Sequence, residues 1–79
     1  MTHKELVALM LLAGGTKSDF FANGRHSHRM GFYPLASLAV LWRTDAPKGY
    51  TVFYKSTTTV FHSPQCALEY ITKVLYNDP

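Results

Sequence analysis

The sequence predicts a small α+β domain in which a three-stranded antiparallel β-meander is packed by an N-terminal and a C-terminal α-helix. Two runs rich in β-branched and aromatic residues, 50–55 and 57–62, follow each other and predict a hairpin. The run 63–76 comes next and has the capped, amphipathic pattern of a helix. With 79 residues, the chain is expected to form one domain, 1–79, around a single core.

The first helix is predicted from its ends. Thr2 and Glu5 have the Thr-x-x-Glu spacing of a capping box, and Gly14-Gly15 is a typical C-terminal stop. A helix that is apolar nearly all round is either buried on several sides or contacts another chain. Both alternatives stay open, full burial and a homodimer through the first helix. The apolar residues concerned are Leu6, Val7, Leu9, Met10, Leu11, Leu12 and Ala13.

The segment 16–34 is the least regular part of the sequence. Residues 16–22 are compatible with one or two helical turns that begin at Thr16, and Asn23-Gly24 would end them. Residues 25–31 predict a polar, basic loop. Tyr33 is expected to be extended because a proline follows it.

The segment 35–43 fits two kinds of secondary structure. As a helix it would begin at Pro34 and align Leu35, Leu38 and Trp42 on one face. As a strand it would place Leu38, Val40 and Trp42 on one face. Residues 44–49 predict a turn, and the strand that follows needs a partner. We therefore predict a strand over residues 38–44.

The last helix is predicted with Ser63 as its N-cap and Pro64 as its first residue. Its apolar residues recur at helical spacing and would cover the sheet. They are Ala67, Leu68, Ile71, Val74 and Leu75.

Composition restricts the cellular location and the partners. Cys66 is the only cysteine, so an intrachain disulfide is excluded and a reducing, cytoplasmic location is expected. No apolar run is long enough to cross a bilayer, so no membrane contact is expected. The net charge is +3, and residues 17–55 hold six of the eight basic residues. A basic centre argues against a mimic of DNA, which would have to be acidic.

The sequence contains few groups suited to catalysis or metal binding. His26, His28, His62 and Cys66 are zinc-binding residue types, but their spacing matches no zinc signature. Cys66 would lie near a helix N-terminus one turn after His62, which suggests a Cys–His nucleophile without a partner acid. No phosphate-binding loop or paired carboxylates are present. The prediction is a protein that is not an enzyme and has no metal or cofactor.

The basic centre is the predicted partner-binding region. Arginines and aromatic residues contribute most of the energy in protein interfaces, and basic residues interleaved with aromatics also suit single-stranded nucleic acid. On the sheet, we expect one face to hold Arg43, Thr51, Phe53, Lys55, Thr57, Thr59 and Phe61. The predicted contact residues are Arg25, His26, His28, Arg29, Arg43, Lys48, Tyr50, Phe53 and Lys55.

The chain resembles the small phage-encoded inhibitors of bacterial defence, among them the anti-CRISPR proteins. The resemblance rests on length, on one compact α+β unit without a catalytic constellation, and on the aromatic-rich hairpin segment 50–56. It implies stoichiometric docking on a nuclease or surveillance complex, and it assigns no role to a single residue. The predicted function is therefore a non-enzymatic binding protein of this kind. The alternatives are a small basic regulator that binds DNA or RNA, and a structural component of a larger assembly.

Overall fold

The described residues form a five-stranded antiparallel sheet with two helices. The computed structural model describes residues 1–32, 37–44 and 49–77. The strands lie side by side in chain order, β1-β2-β3-β4-β5, so each hairpin connects neighbours. The α+β class is therefore confirmed. The elements are α1 (His3–Leu12), β1 (Gly15–Ala22), β2 (Arg25–Phe32), β3 (Leu38–Arg43), β4 (Tyr50–Tyr54), β5 (Thr57–Phe61) and α2 (Pro64–Asn77).

The prediction of three strands was wrong because the segment before them is a β-hairpin. Residues 16–22, predicted as helical turns, belong to β1, and the predicted basic loop 25–31 belongs to β2. Asn23 and Gly24 have φ angles of 53° and 73°, and Ala22 pairs with Arg25 across them. Two consecutive residues with positive φ make a tight turn whose twist suits antiparallel strands, and Asn-Gly is the favoured pair. The dipeptide thus joins two strands.

The strands predicted for the second half of the chain are present in the structure. The strand predicted over residues 38–44 is β3, which ends one residue earlier, at Arg43. The predicted hairpin is β4 and β5, joined by a two-residue turn in which Lys55 has a φ of 53°. Tyr33, Lys48 and most of the predicted turn 44–49 lie outside the described residues.

Both predicted helix caps are confirmed. The Thr2 hydroxyl accepts a hydrogen bond from the Glu5 backbone N–H at 3.2 Å, and the Glu5 carboxylate accepts one from the Thr2 backbone N–H at 3.0 Å. Hydrogen bonding of the Glu5 carboxylate to Thr2, first to its backbone N–H and then to its side chain, lowers the pKa of Glu5. At the start of α2, the Ser63 hydroxyl accepts from the Cys66 N–H at 3.4 Å. Among the described residues, neither helix is long and apolar enough to cross a membrane.

One hydrophobic core joins the two helices to the three inner strands. α2 contributes its predicted stripe, with Ala67, Ile71 and Val74 buried and Leu68 and Leu75 partly buried against them. On α1, Leu6 and Met10 are buried, whereas Leu9, Leu11 and Leu12 are exposed. The buried core residues are Leu6, Met10, Met30, Phe32, Leu38, Val40, Trp42, Tyr50, Val52, Ala67, Ile71 and Val74.

Strand register divides the sheet into two faces, because successive side chains point to opposite sides. The helix-covered face holds Met30, Val40 and Val52 in one row across β2, β3 and β4. The other side, which we call the open face, is the side away from both helices. Its residues are Thr16, Ser18, Phe20, Arg25, Ser27, Arg29, Gly31, Ala39, Leu41, Arg43, Thr51, Phe53, Thr58 and Val60.

Candidate functional site: the open face of the sheet

Three arginines form a triangle on the open face. Arg25 and Arg29 lie four residues apart on β2, which corresponds to about 14 Å between their Cα atoms. Arg43 on β3 is opposite Ser27, midway between them, so its distance to each is about 7–8 Å. We call this set the arginine triangle. All three side chains are exposed.

The arginine triangle has no acidic neighbour on the part of the open face that the structure describes. The described carboxylates lie elsewhere, with Glu5 on α1, Asp19 on the helix-covered side of β1, and Glu69 on α2. No side-chain hydrogen bond or ion pair joins the three guanidinium groups to another described residue. Their combined charge is therefore directed at solvent, where it can attract an anionic partner.

The middle of the open face is a shallow trough. One depression of about 370 Å³ is lined by Leu41, Thr51 and Val60, together with Ser27 and Arg43. A neighbouring depression of about 670 Å³ shares four of these residues and extends to β1 and the first hairpin turn. Arginines and aliphatic side chains therefore surround one concave surface that is large enough to receive side chains of a partner.

Two features shape the rim of this trough. Phe53 is 38% exposed, so part of its ring is available for contact. Gly31 lies beside the Arg29 side chain, and a Cβ atom at Gly31 would come within 2.8 Å of the Arg29 Nη1 atom. Because Gly31 has no side chain, the Arg29 guanidinium can lie directly over the strand at this position.

The other predicted contact residues lie away from this surface. Tyr50 is fully buried in the core, on the helix-covered face. His26 packs edge-on against Phe21 at 4.8 Å, on the helix-covered side of the first hairpin. Lys55 is in the β4–β5 turn, with its Nζ atom 5.3 Å from the centre of the Tyr54 ring. Lys48 lies outside the described residues.

The predicted composition of the sheet face was correct in its first half only. Arg43, Thr51 and Phe53 do share the open face. Thr57, Thr59 and Phe61 belong to the helix-covered face, because the two-residue turn pairs Phe53 with Thr58. The prediction assumed that side chains alternate between the two faces without interruption through Lys55. The two-residue turn places odd-numbered residues after it on the other face.

A hydrogen-bonded aromatic cluster lies under the N-terminus of α1. The Tyr50 hydroxyl and His3 Nδ1 are 2.7 Å apart, and the two rings are stacked at 5.7 Å. Trp42 packs edge-on against His3 at 5.6 Å. Burial, and to a lesser degree the charge of His28, lowers the pKa of His3. Burial also raises the pKa of Tyr50. The cluster fastens α1 to β3 and β4 and is part of the core.

A second chain of hydrogen bonds links the first three strands. Asp19 Oδ1 is 2.6 Å from His28 Nδ1, and His28 Nε2 is 2.9 Å from the Thr44 hydroxyl. The bonds from His28 and then Lys17 lower the pKa of Asp19. A carboxylate, an imidazole and a hydroxyl in this order activate a nucleophile in hydrolases. Asp19 is 69% exposed, so water screens its charge, and we interpret these hydrogen bonds as surface contacts between β1, β2 and the residue after β3.

The residues considered for zinc and for a nucleophile are dispersed. His62 follows β5, and Cys66 is exposed in the first turn of α2. His28 is bonded to Asp19 and Thr44 as described. Among the described residues, no group of three or more His, Cys, Asp or Glu side chains is placed to hold a metal ion.

Sequence reasoning missed the residues that form the trough. Ser27, Leu41 and Val60 carry no motif and meet only through strand register. Phe20 reaches the open face because β1 is a strand. The Asn23-Gly24 pair was the one signal that could have revealed them, since it predicts the first hairpin. The comparisons add no relative: the chain matches no protein-family model, no curated protein and no solved structure.

Proposed function

We propose that this protein is a non-enzymatic binding protein that docks stoichiometrically on an acidic surface of a protein partner through the open face. The observation that carries the proposal is the arginine triangle beside a trough lined by Leu41, Val60 and polar side chains, with no described carboxylate on the same face. Arginine and aromatic residues around a desolvated centre are the usual source of binding energy in protein interfaces. Charge complementarity would set the orientation of the partner.

The arrangement of the aromatic residues favours a protein over a single-stranded nucleic acid. A nucleic-acid platform stacks successive bases on neighbouring aromatic rings. Here Phe20 on β1 and Phe53 on β4 are three strand spacings apart across the sheet and four residues apart along it, which corresponds to about 20 Å. The surface between them is aliphatic and cationic, with Leu41 and Arg43 at its centre. Such a surface suits carboxylate and aliphatic side chains of a protein.

The resemblance to anti-CRISPR proteins supplies the partner class in this proposal. The partner would be a nuclease or surveillance complex that targets nucleic acid, and binding would block it without chemistry. The site of action would be the cytoplasm, where a single exposed cysteine, Cys66, stays reduced.

Binding of single-stranded nucleic acid is the second candidate, because three arginines without a described carboxylate also attract phosphates. Three phosphate contacts predict a slope of about −2 for log K against log salt. The affinity for an oligonucleotide would then fall about 20-fold between 50 and 200 mM salt. The proposed protein complex would lose less affinity over the same range, because salt does not screen the contacts of Leu41 and Val60.

The test uses affinity capture from bacterial lysate with and without nuclease, followed by calorimetry with the purified partner. The open-face variant is Arg29→Glu with Arg43→Glu, and the matched control is Lys4→Glu with Lys73→Glu on the two helices. Both make the same change in charge sign. Since the arginines have no described partner within the chain, their reversal should change stability by less than about 0.5 kcal/mol each.

The expected result is a nuclease-resistant complex with a defined stoichiometry. The open-face variant should bind at least about tenfold more weakly, and the control should bind as the wild type does. Equal affinity of both variants would exclude the open face as the docking surface. Capture that disappears on nuclease treatment, with the steep salt dependence given above, would establish the nucleic-acid candidate instead.

A further inference from the structure

The first strand of the sheet is an unbroken edge. β1 pairs with β2 along its whole length, from Gly15 opposite Phe32 to Ala22 opposite Arg25. Its outer side pairs with no other strand in the described part of the chain. A long, regular edge presents unpaired backbone N–H and C=O groups and is a template for a further strand. Proteins block such an edge with proline, with a bulge or with charged side chains. β1 contains no proline or bulge, and its only charged side chains are Lys17 and Asp19.

The charges on β1 are arranged for pairing with a second copy of the same strand. Lys17 and Asp19 flank Ser18 and lie on the helix-covered side. An antiparallel pair related by a two-fold axis through Ser18 would set Lys17 of each copy opposite Asp19 of the other. Opposite charges directly across a strand pair are stabilising, and like charges are destabilising.

These charges also exclude the neighbouring registers. Moving the axis to Lys17 would set two lysines opposite each other, and moving it to Asp19 would set two aspartates opposite each other. Asp19 is 69% exposed, and only its Oδ1 atom is bonded to Lys17 and His28. Within the described residues, the Oδ2 atom accepts no hydrogen bond, so it is available to a second lysine.

Apolar residues at the ends of β1 fit the same register. Phe21 is 63% exposed and would lie opposite Gly15 of the second copy. The space directly over Gly15 is filled by Met10 and Met30 of its own chain, so the Phe21 ring would pack beside the end of α1. Gly15 lies under the end of α1, since a Cβ atom there would be 2.8 Å from the Met10 carbonyl oxygen. Leu12, in the last turn of α1, is 83% exposed and close in the chain to this position.

The opposite edge of the sheet has no comparable arrangement. β5 is five residues long, Thr57–Phe61, against eight residues for β1. It carries no charged side chain, so nothing on it would select one register over another.

We propose that two copies of this chain associate through β1, as antiparallel strands centred on Ser18. The axis stands perpendicular to the sheet, so the two sheets join into one of ten strands, with all helices on one side. The two open faces then become continuous. This interaction surface is separate from the open face and does not depend on the function proposed for it.

A register-specific cross-link tests the pairing. In a Cys66→Ser background, which removes the one native thiol, Ser18→Cys places a cysteine on the axis, opposite its own copy. Thr16→Cys is the matched control, because it would lie opposite Phe20 of the second copy. Under mild oxidation we expect the Ser18→Cys protein to form a covalent dimer at least tenfold faster than the control. Equal rates would overturn the proposal.

Charge variants provide the second measurement, with mass determined by light scattering and sedimentation. The wild type should have twice the 8.9 kDa mass of the chain. Lys17→Asp, which creates two like-charge pairs across the axis, should weaken association at least tenfold, and Lys73→Asp on α2 should not. Lys17→Asp combined with Asp19→Lys restores opposite charges and should restore the dimer. A wild type that stays monomeric at millimolar concentration, or a swap that does not recover association, would show the pairing to be wrong.

Discussion

Replacing Tyr50 by phenylalanine tests whether this residue acts in the core or at a partner surface. Its side chain is fully buried, and its hydroxyl is 2.7 Å from His3 Nδ1. The substitution keeps the ring and removes one partly buried hydrogen bond. A bond of this kind contributes about 0.5–1.5 kcal/mol. We therefore expect Tyr50→Phe to lower the unfolding free energy by about 1 kcal/mol.

Removal of the whole ring gives the scale of the core contribution. Truncation of a buried aromatic residue to alanine costs about 3–5 kcal/mol. For a chain of 79 residues, a stability of about 0.05–0.15 kcal/mol per residue gives roughly 4–12 kcal/mol in total. Tyr50→Ala should therefore leave the domain marginally stable or unfolded, whereas Tyr50→Phe should leave it fully folded.

The assay is urea and thermal unfolding followed by circular dichroism, with Phe53→Ala as the matched control. A loss of 1 kcal/mol corresponds to a fall in Tm of about 4–8 °C for a domain of this size. Phe53 is 38% exposed on the open face, so its removal should affect stability less than Tyr50→Ala and partner binding more. A double-mutant cycle with His3→Gln should show that the losses from His3 and Tyr50 are not additive.

The outcome that would refute this reasoning is specific. If Tyr50→Phe unfolded at the wild-type temperature but bound the partner more weakly, the hydroxyl would be reaching a partner. The conclusion that Tyr50 stabilises the core through its hydrogen bond to His3 would then be wrong.

Two further predictions concern the core and its pH dependence. Ile71 is 1% exposed, so Ile71→Asp would bury a carboxylate without a partner and should unfold the domain; a cooperative melt near the wild-type temperature would contradict the packing of α2. The folded-state pKa of His3 lies below its ordinary value of 6.5, so the unfolded state binds more protons in the interval between the two values. Stability should therefore fall as pH drops below about 6.5, where the unfolded histidine begins to take up its proton. In unfolding measurements between pH 5 and 7.5, His3→Gln should reduce this slope, and His62→Gln at the end of β5 should not.

The helices and the second hairpin could be predicted because their signals are local. A capping box at Thr2 and an N-cap at Ser63 require only neighbouring residues, and the structure forms both. The β4–β5 hairpin follows from two adjacent β-rich runs. Residues 16–31 could not be assigned in the same way, because their strands are polar and alternate weakly. There the conformation depends on the Asn23-Gly24 turn and on pairing with β3.

The candidate site was predictable as residue types but not as a surface. Arg25, Arg29 and Arg43 stand out in the sequence as basic residues, yet their convergence depends on Arg43 pairing with Ser27. Tyr50 was expected on the surface because aromatic residues are common in interfaces. Its burial depends on which side of β4 faces the helices. That side is determined by the register of all the strands and by their packing against both helices.

The two proposed surfaces can be tested separately because they lie on different parts of the sheet. Arg43 is on β3, two strands from the β1 edge, and is level with Phe20, so the two copies of Arg43 in the proposed dimer would be about 28 Å apart. Lys17→Asp should then give a monomer that still binds the partner through an intact arginine triangle. Arg29→Glu with Arg43→Glu should give a dimer that does not bind.

Linking the two triangles would also change how the protein binds. A partner that presents two acidic patches at a matching distance would bind the dimer more tightly than the monomer, without any new contact, because the second binding step becomes intramolecular. A partner with one patch would bind both forms equally at each site. Comparing wild type with Lys17→Asp on the same partner therefore distinguishes a single docking site from a paired one, whichever class of macromolecule the partner belongs to.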